Sequence, residues 1–301
     1  MLDVHALAPV HPRLRLHRVG IEGIRKPLLV QRPDRTVTLP TTFSLAVDLP
    51  SHRKGSDLSR SAELLAERID WPEARPVPSL ESVCASMARE LLVRHPYATR
   101  SEVRGEAEYF LPRGVRPGRE SLEDFTLLAR GEAERKVGRV VVHRSIGAEA
   151  VGMTACPCAM ETAREQLKGE FPALAAAALS GLPIVTHNQR NRTSLIFDVP
   201  GRAAVEADRI IDAIEAAQSS PTFAILKRGD EARMVIEAHR HPKFVEDVVR
   251  DLLASLPGRF PRLPSPTVVR VRTRSEESIH KYDVVAEHTA TLGELRRRRG
   301  S

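Results

Sequence analysis

Between Thr36 and Thr291 the chain alternates stretches rich in β-formers with amphipathic stretches of helical period, in two successive sets. Two periodicities interleaved in this way restrict the fold to a mixed α+β architecture. The first set opens with a strand over Thr36 to Val47, interrupted or bent at Pro40 and stopped by Pro50, followed by a polar loop, Ser51 to Ser56. A helix follows, capped by Ser56 or Asp57, with Leu58, Ala62, Leu65 and Ala66 on one face. A second helix runs from Ser79, its N-cap, to Leu92, with the stripe Val83, Met87, Leu91 and Leu92. Strands are predicted over Thr99 to Leu111, Asp124 to Ala133 and Gly138 to Met153. The second set has helices over Ala159 to Leu167, Ala204 to Ala217 and Lys243 to Leu256, with another around Pro172 to Ser180. Its strands are Thr193 to Val199, where Leu195, Phe197 and Val199 alternate, Thr222 to Leu226, Thr267 to Thr273, and Asp283 to Thr291. Strand, helix, helix, strand, strand suggests an internal duplication, although the two halves show no visible sequence repeat. The expected division is an irregular segment 1–33, modules 34–150 and 151–292, and a basic tail 293–301.

Aromatic residues make up only 4% of the 301, so the core must rest on Val, Leu, Ile and Ala. The longest apolar runs, such as Ala173 to Leu179, fall far short of the roughly 20 residues that span a bilayer. The first 25 residues lack the apolar core of a signal peptide. Three cysteines make no disulfide framework, and Cys156 and Cys158, one residue apart, are poorly placed to bridge each other. These features predict a reduced, cytoplasmic protein with no membrane association. The formal charge of +7 fits nucleic acid, an anionic surface or a polyanionic small substrate. Part of it is the run Arg296 to Arg299, expected to be solvated and disordered; most of the remaining basic residues are scattered and no RRM-type or zinc-finger motif is present, so no nucleic-acid partner is expected.

Five segments carry side chains capable of chemistry. In Met153-Thr154-Ala155-Cys156-Pro157-Cys158, Pro157 stiffens the backbone between two thiols at a strand-to-helix junction, where unsatisfied N–H groups favour the anionic sulfur that binds metal or attacks carbon. Two small core cysteines would look the same. Thr186-His187-Asn188-Gln189-Arg190 reads either as a solvated turn or as a proton-transfer histidine beside an anion-binding arginine. Lys227-Arg228-Gly229-Asp230-Glu231 reads as a charged turn or a ligand segment. Glu246, in Phe244-Val245-Glu246-Asp247-Val248, lies on the flank of a helix; His280, in Ser278-Ile279-His280-Lys281-Tyr282, falls between two strands. Cys, Glu and His donors together suit Zn, Fe(II) or Mn(II) rather than Mg or Ca.

These five segments, in this order, resemble the type IB GTP cyclohydrolases, and the resemblance runs from about Thr36 to His288. It implies a tunnelling fold, with two tandem ββααββ-like modules of antiparallel sheet in one chain, assembled into a homotetramer. It implies GTP as substrate, hydrolysed at C8 of guanine with release of formate, and one divalent metal per active site, Fe(II), Mn(II) or Zn(II). By the same resemblance Cys156, Glu231 and His280 are the metal ligands. His187 is the active-site histidine, Cys158 a second required thiol, and Glu246 the carboxylate gripping the guanine edge. The triphosphate falls to Lys54, Arg60, Arg190, Lys227 and Arg228. The segment Lys54-Gly55-Ser56-Asp57-Leu58-Ser59-Arg60 departs from the family pattern at Asp57 and Leu58, where His and Met are usual. The implied product is 7,8-dihydroneopterin triphosphate, the first intermediate of folate-type pterin synthesis. The alternative is the 2',3'-cyclic phosphate of archaeal-type members, which the long spacer Ala159 to Thr186 resembles. A tunnelling-fold nitrile reductase with a Cys nucleophile is the rival activity.

Overall fold

The computed structural model describes residues 11–32, 35–70, 75–172, 182–201 and 203–299. The chain forms two compact units that interleave in sequence. Unit 1 takes Met1–Tyr109, Thr126–Gly147 and Asp198–Arg202; unit 2 takes Phe110–Phe125, Ala148–Phe197 and Ala203–Ser301.

Unit 1 contains β1 (Leu16–Gln31), β2 (Thr36–Leu49), helices α1 (Leu58–Ile69) and α2 (Leu80–Arg94), and most of the long strands β3 (Arg100–Gly114) and β4 (Glu120–Lys136), with the start of β5 (Arg139–Ala155). The strands pair in chain order, β1 to β5, and β1–β2 and β2–β3 are antiparallel. Side chains alternate across the sheet. Val103, Ala107 and Tyr109 of β3 and Leu127, Ala129 and Ala133 of β4 are buried, while Arg104, Glu106 and Arg130 are not. The buried face packs with Leu64 and Leu65 of α1 and Met87, Leu91 and Leu92 of α2, all at most 1% exposed. Ser79 caps α2 as expected, its hydroxyl accepting from Ser82 N–H. Asp57 is the N-cap residue of α1, but its carboxylate pairs with Arg53 and Arg60 and makes no cap hydrogen bond.

Unit 2 contains the rest of β5, then α3 (Pro157–Glu170), β6 (Asn188–Asp198, which ends in unit 1), α4 (Ala207–Ala217), the two-residue β7 (Ser220–Pro221), α5 (Arg228–Arg240), α6 (Val245–Arg259), β8 (Val268–Glu276), β9 (Val284–Thr291) and α7 (Leu292–Arg299). Its strands pair in the order β5-β6-β8-β9, with β7 also on β5. Helix α6 packs on α4, β8, β9 and α7. The core joins Leu195 and Phe197 to Ile210, Ile211 and Ile214 of α4 and Val248, Leu252 and Leu256 of α6, all fully buried.

The mixed α+β class with antiparallel pairing agrees with the sequence, and five details do not. The segment expected to be irregular up to residue 33 holds a sixteen-residue strand, β1, paired with β2 from Leu16↔Leu49 to Gln31↔Thr36. β2 is continuous through Pro40, which lies opposite Pro27 and just outside the β2–β3 register that begins at Thr41↔Ala107, so its missing N–H costs no bond to β3. Thr222 to Leu226 is not a strand; the short strand lies earlier, at β7. The charged turn at Lys227 to Glu231 is the start of α5. The basic tail is helical to Arg299, because Leu292 and Leu295 are buried and Arg296 donates to the Phe260, Pro261 and Leu263 carbonyls. The helix expected around Pro172 to Ser180 lies, beyond Pro172, outside the described residues.

Candidate active site

The junction of β5 and α3 places the first thiol. Cys156 is the N-cap of α3 in extended conformation and Pro157 fills N1, where its missing N–H costs nothing. The Cys156 sulfur accepts the Ala159 N–H at 3.5 Å, so it faces the positive end of the helix. Cys156 is half-buried and Cys158, inside the first turn, is exposed. Three neighbours brace the end of β5. Cys156 N–H donates to the His187 carbonyl at 3.2 Å, Lys243 N–H donates to the Ala155 carbonyl at 3.1 Å, and Ala155 N–H reaches Ser219 Oγ at 3.4 Å. Cys156 and His187 are thereby held together, 31 positions apart in sequence and one hydrogen bond apart in space.

His187 is half-buried at the entry to β6. Its Nδ1 lies 3.1 Å from Gln189 Oε1 and 4.0 Å from Glu277 Oε2, and Gln189 Nε2 donates to Thr154 Oγ1 at 3.3 Å. The residue before it is fixed from α5: the ring of His239, 1% exposed, spans the Val235 carbonyl at 2.7 Å and the Thr186 carbonyl at 3.1 Å. Behind this edge Asn191, Thr193, Gln218 and Thr273 form a closed polar network. Asn191 Nδ2 donates to Gln218 Oε1 at 2.7 Å, the Thr273 hydroxyl donates to Asn191 Oδ1 at 2.8 Å, and Gln218 Nε2 donates to Thr193 Oγ1 at 2.9 Å.

Lys227, Arg228 and Glu231 share the N-terminus of α5 and are exposed. The Lys227 carbonyl accepts from the N–H groups of Asp230 and Glu231. Asp230 is buried and pairs with Arg119 at 2.7 Å and Arg116 at 3.5 Å, from the turn between β3 and β4. Desolvation raises its carboxyl pKa, but the Arg119 hydrogen bond and both guanidinium charges outweigh it and hold the group below the ordinary carboxylate range. Glu123 accepts twice from Ala224 N–H, at 2.9 and 3.0 Å, which fixes the approach to α5. Glu246 is exposed in the first turn of α6, where Asp247 accepts from Phe244 N–H at 3.1 Å. Arg190 is exposed on β6. His280 is exposed between β8 and β9, its ring stacked on Tyr282 with centroids 4.9 Å apart.

Lys54 and Arg60 belong to unit 1 and are exposed there. Their loop is fastened from beneath by Tyr97, whose hydroxyl meets Ser56 Oγ at 2.9 Å and His95 Nδ1 at 2.8 Å, while the Arg53 guanidinium lies 4.1 Å from its ring centroid. His95 is fully buried. Burial first, then the charges of Arg60, Arg53 and Arg94 against the opposing Asp57, push its pKa down to about 4. Arg60 donates to the Arg94 carbonyl at 2.8 Å and pairs with Asp57 at 3.2 Å.

Among the described residues, no group of three or more His, Cys, Asp or Glu side chains could hold a metal ion. Cys156, Glu231 and His280 therefore do not converge into a ligand set within one chain. Sequence reasoning missed Glu277, Gln218, Thr273 and His239, and gave Gln189 no role. One signal was available: extending the Leu195, Phe197, Val199 alternation backwards in steps of two predicts that Thr193, Asn191 and Gln189 all face inward, and all three are buried.

The sequence profile of the type I GTP cyclohydrolase folE2 family matches residues 1–286, which include every one of these segments. The chain belongs to this family. "GTP cyclohydrolase MptA" of Methanococcoides burtonii is 40% identical, over 98% of this chain and 95% of the relative. The protein of the same name from Methanothermobacter thermautotrophicus is 38% identical, over 96% and 92%. Among solved structures, a uricase from Bacillus fastidious covers 94% of this chain and 96% of its own at 12% identity and a TM-score of 0.49, a likeness too slight to assign a function. None of the described helices is long and apolar enough to cross a membrane.

Proposed function

We propose that this protein is an enzyme that opens the guanine ring of GTP by hydrolysis at C8, releasing formate and forming a dihydroneopterin phosphate. The observation that carries the reading is the joining of Cys156 to His187 by one backbone hydrogen bond, in a chain whose family match spans the whole set of segments. His187 is the proposed proton-transfer group, since an imidazole can both accept and donate a proton. Glu246 accepts from the guanine N–H groups. Lys54, Arg60, Arg190, Lys227 and Arg228 are the proposed partners of the triphosphate, and five exposed cations suit a polyanion. Cys158, exposed in the first turn of α3, is the proposed second thiol.

A divalent metal, Fe(II), Mn(II) or Zn(II), is the proposed cofactor, with Cys156, Glu231 and His280 as its donors. One chain leaves that set unassembled among the described residues, and a homotetramer is the proposed working state. Of the two products, the cyclic phosphate is favoured over the triphosphate. Support comes from the long spacer between Cys158 and His187 and from archaeal relatives at 38–40% identity.

The test is an anaerobic incubation with GTP and each metal in turn, with formate measured and the pterin identified by mass. Formate with a cyclic phosphate is the expected result. A triphosphate product would move the protein to the folate-type reaction, and no formate with any metal would overturn the proposal in favour of the Cys-nucleophile rival. Cys156→Ala is expected to lose metal and activity together, whereas Cys158→Ala keeps the metal.

A further inference from the structure

We propose that Gln189 and Glu277 are positioning residues that hold His187 in its Nδ1–H tautomer and so leave the Nε2 lone pair as the ring's acceptor. A neutral imidazole carries one N–H, and its partners decide which nitrogen bears it. Two oxygens flank the same nitrogen here, Gln189 Oε1 at 3.1 Å and Glu277 Oε2 at 4.0 Å from Nδ1. A bare lone pair on Nδ1 would face both of them; a proton there is attracted to both.

The far end of the Gln189 amide is also engaged. Its Nε2 donates to Thr154 Oγ1 at 3.3 Å, and Gln189 and Thr154 are 9% and 1% exposed. Exchanging the two ends of the amide would turn its NH2 towards the histidine, but would set Glu277 against an unprotonated Nδ1. The carboxylate therefore settles the orientation, and its own side chain is only 9% exposed, so water screens it little. The arrangement follows from the strand: Gln189 is on the inward phase of β6 with Asn191 and Thr193, and β5 supplies Thr154 beside it. His187 is further held by its own carbonyl, which accepts from Cys156 N–H, and by the His239 bond to the preceding carbonyl. Backbone and Nδ1 are both fixed, so one nitrogen is left to accept a proton.

The inference rests on His187 serving the proposed ring opening for its catalytic meaning, but its structural content is measured without turnover. The protein is labelled with 15N-histidine, and the His187 resonances are identified by their disappearance in His187→Asn. The expected spectrum has a protonated Nδ1 and an unprotonated Nε2. In Gln189→Ala the two tautomers mix, and kcat for GTP falls about 10- to 100-fold with KM little changed. Gln189→Glu, which keeps an acceptor at the same place, keeps the proton on Nδ1. A wild-type spectrum with the proton on Nε2, or a Gln189→Ala variant with unchanged tautomer and kcat, would overturn the proposal. A locked Nδ1–H tautomer in a protein that releases no formate supports the positioning role and removes the cyclohydrolase reading. Formate release with an Nε2–H histidine does the reverse.

Discussion

Where α2 crosses the sheet of unit 1, the contact is close. A Cβ at Gly131 would lie 2.3 Å from the Cys84 backbone, and one at Gly105 would touch Leu80 and Cys84 side chains at 3.0 and 3.2 Å. Where the segment after α4 meets β5 in unit 2, a glycine again makes room, but for a polar side chain: a Cβ at Gly152 would lie 2.4 Å from Gln218 Cγ. That glutamine closes the Asn191, Thr193 and Thr273 network, with Thr154 and Gln189 nearby in the same unit. Both units pack helices on strands around apolar cores, and these two contacts are filled differently. The approach of α2 at Gly105 and Gly131 is apolar or backbone contact, which favours stability. The approach at Gly152 uses an amide and its hydroxyl partners, which add little net stability when satisfied and cost much when unpaired, but which fix orientation. The contrast locates the proposed chemistry: the polar core lies behind the strand edge that carries His187 and Cys156.

The largest effect is expected in unit 1. Gly131→Ala drives a methyl into helix backbone that cannot rotate away, so a loss of about 3 kcal/mol or more is expected in urea unfolding. Near wild-type stability would show that the close approach is not required. The pH response of unit 1 is next. His95 has a folded pKa of about 4, below its unfolded value, so the unfolded chain binds the proton first as pH falls. The contribution is fully present above about pH 6.5 and is lost progressively towards pH 4, by about 3 kcal/mol in all. His95→Gln should flatten that slope in unfolding midpoints compared at pH 7 and pH 5; an unchanged slope would assign the acid sensitivity elsewhere.

In unit 2, Asn191→Ala strands Gln218 Oε1 and leaves the Thr273 hydroxyl with Thr193 alone, and should cost about 1–3 kcal/mol. Turnover should fall further than the folded fraction explains; a loss of stability alone would make the network structural and weaken the comparison. Arg119→Ala should change global stability least, by less than about 1 kcal/mol, because the guanidinium is partly solvated. Hydrogen exchange should nevertheless quicken at the first turn of α5, where Asp230 loses its nearest cation.

The sequence was most legible where burial follows a simple period. β3, β4, α2, α4 and α6 lie close to their predicted bounds because apolar residues recur at the period of each element on its inner face. β1 was hidden because Arg18, Glu22, Arg25 and Lys26 are interspersed with its apolar residues along the strand. α5 was hidden because only Asp230, Ala238 and His239 are buried, so it has no apolar stripe to read. In α7, four arginines masked Leu292 and Leu295, spaced three apart on one face. At the site, Cys156 and His187 stood out as reactive types, but their link is a backbone hydrogen bond, which side-chain identity does not encode. Glu277 was invisible for a related reason: it acts from another loop, and only the fold brings it to Nδ1.

The most direct measurement follows one carbon. GTP labelled with 13C at C8 is incubated anaerobically with the metal-supplemented protein, and the products are read by 13C NMR. Hydrolysis at C8 carries the label out of the purine and into formate, with loss of that signal in His187→Asn. Label retained in the purine ring, or carried into the pterin, would contradict hydrolysis at C8 and with it the function proposed for this chain.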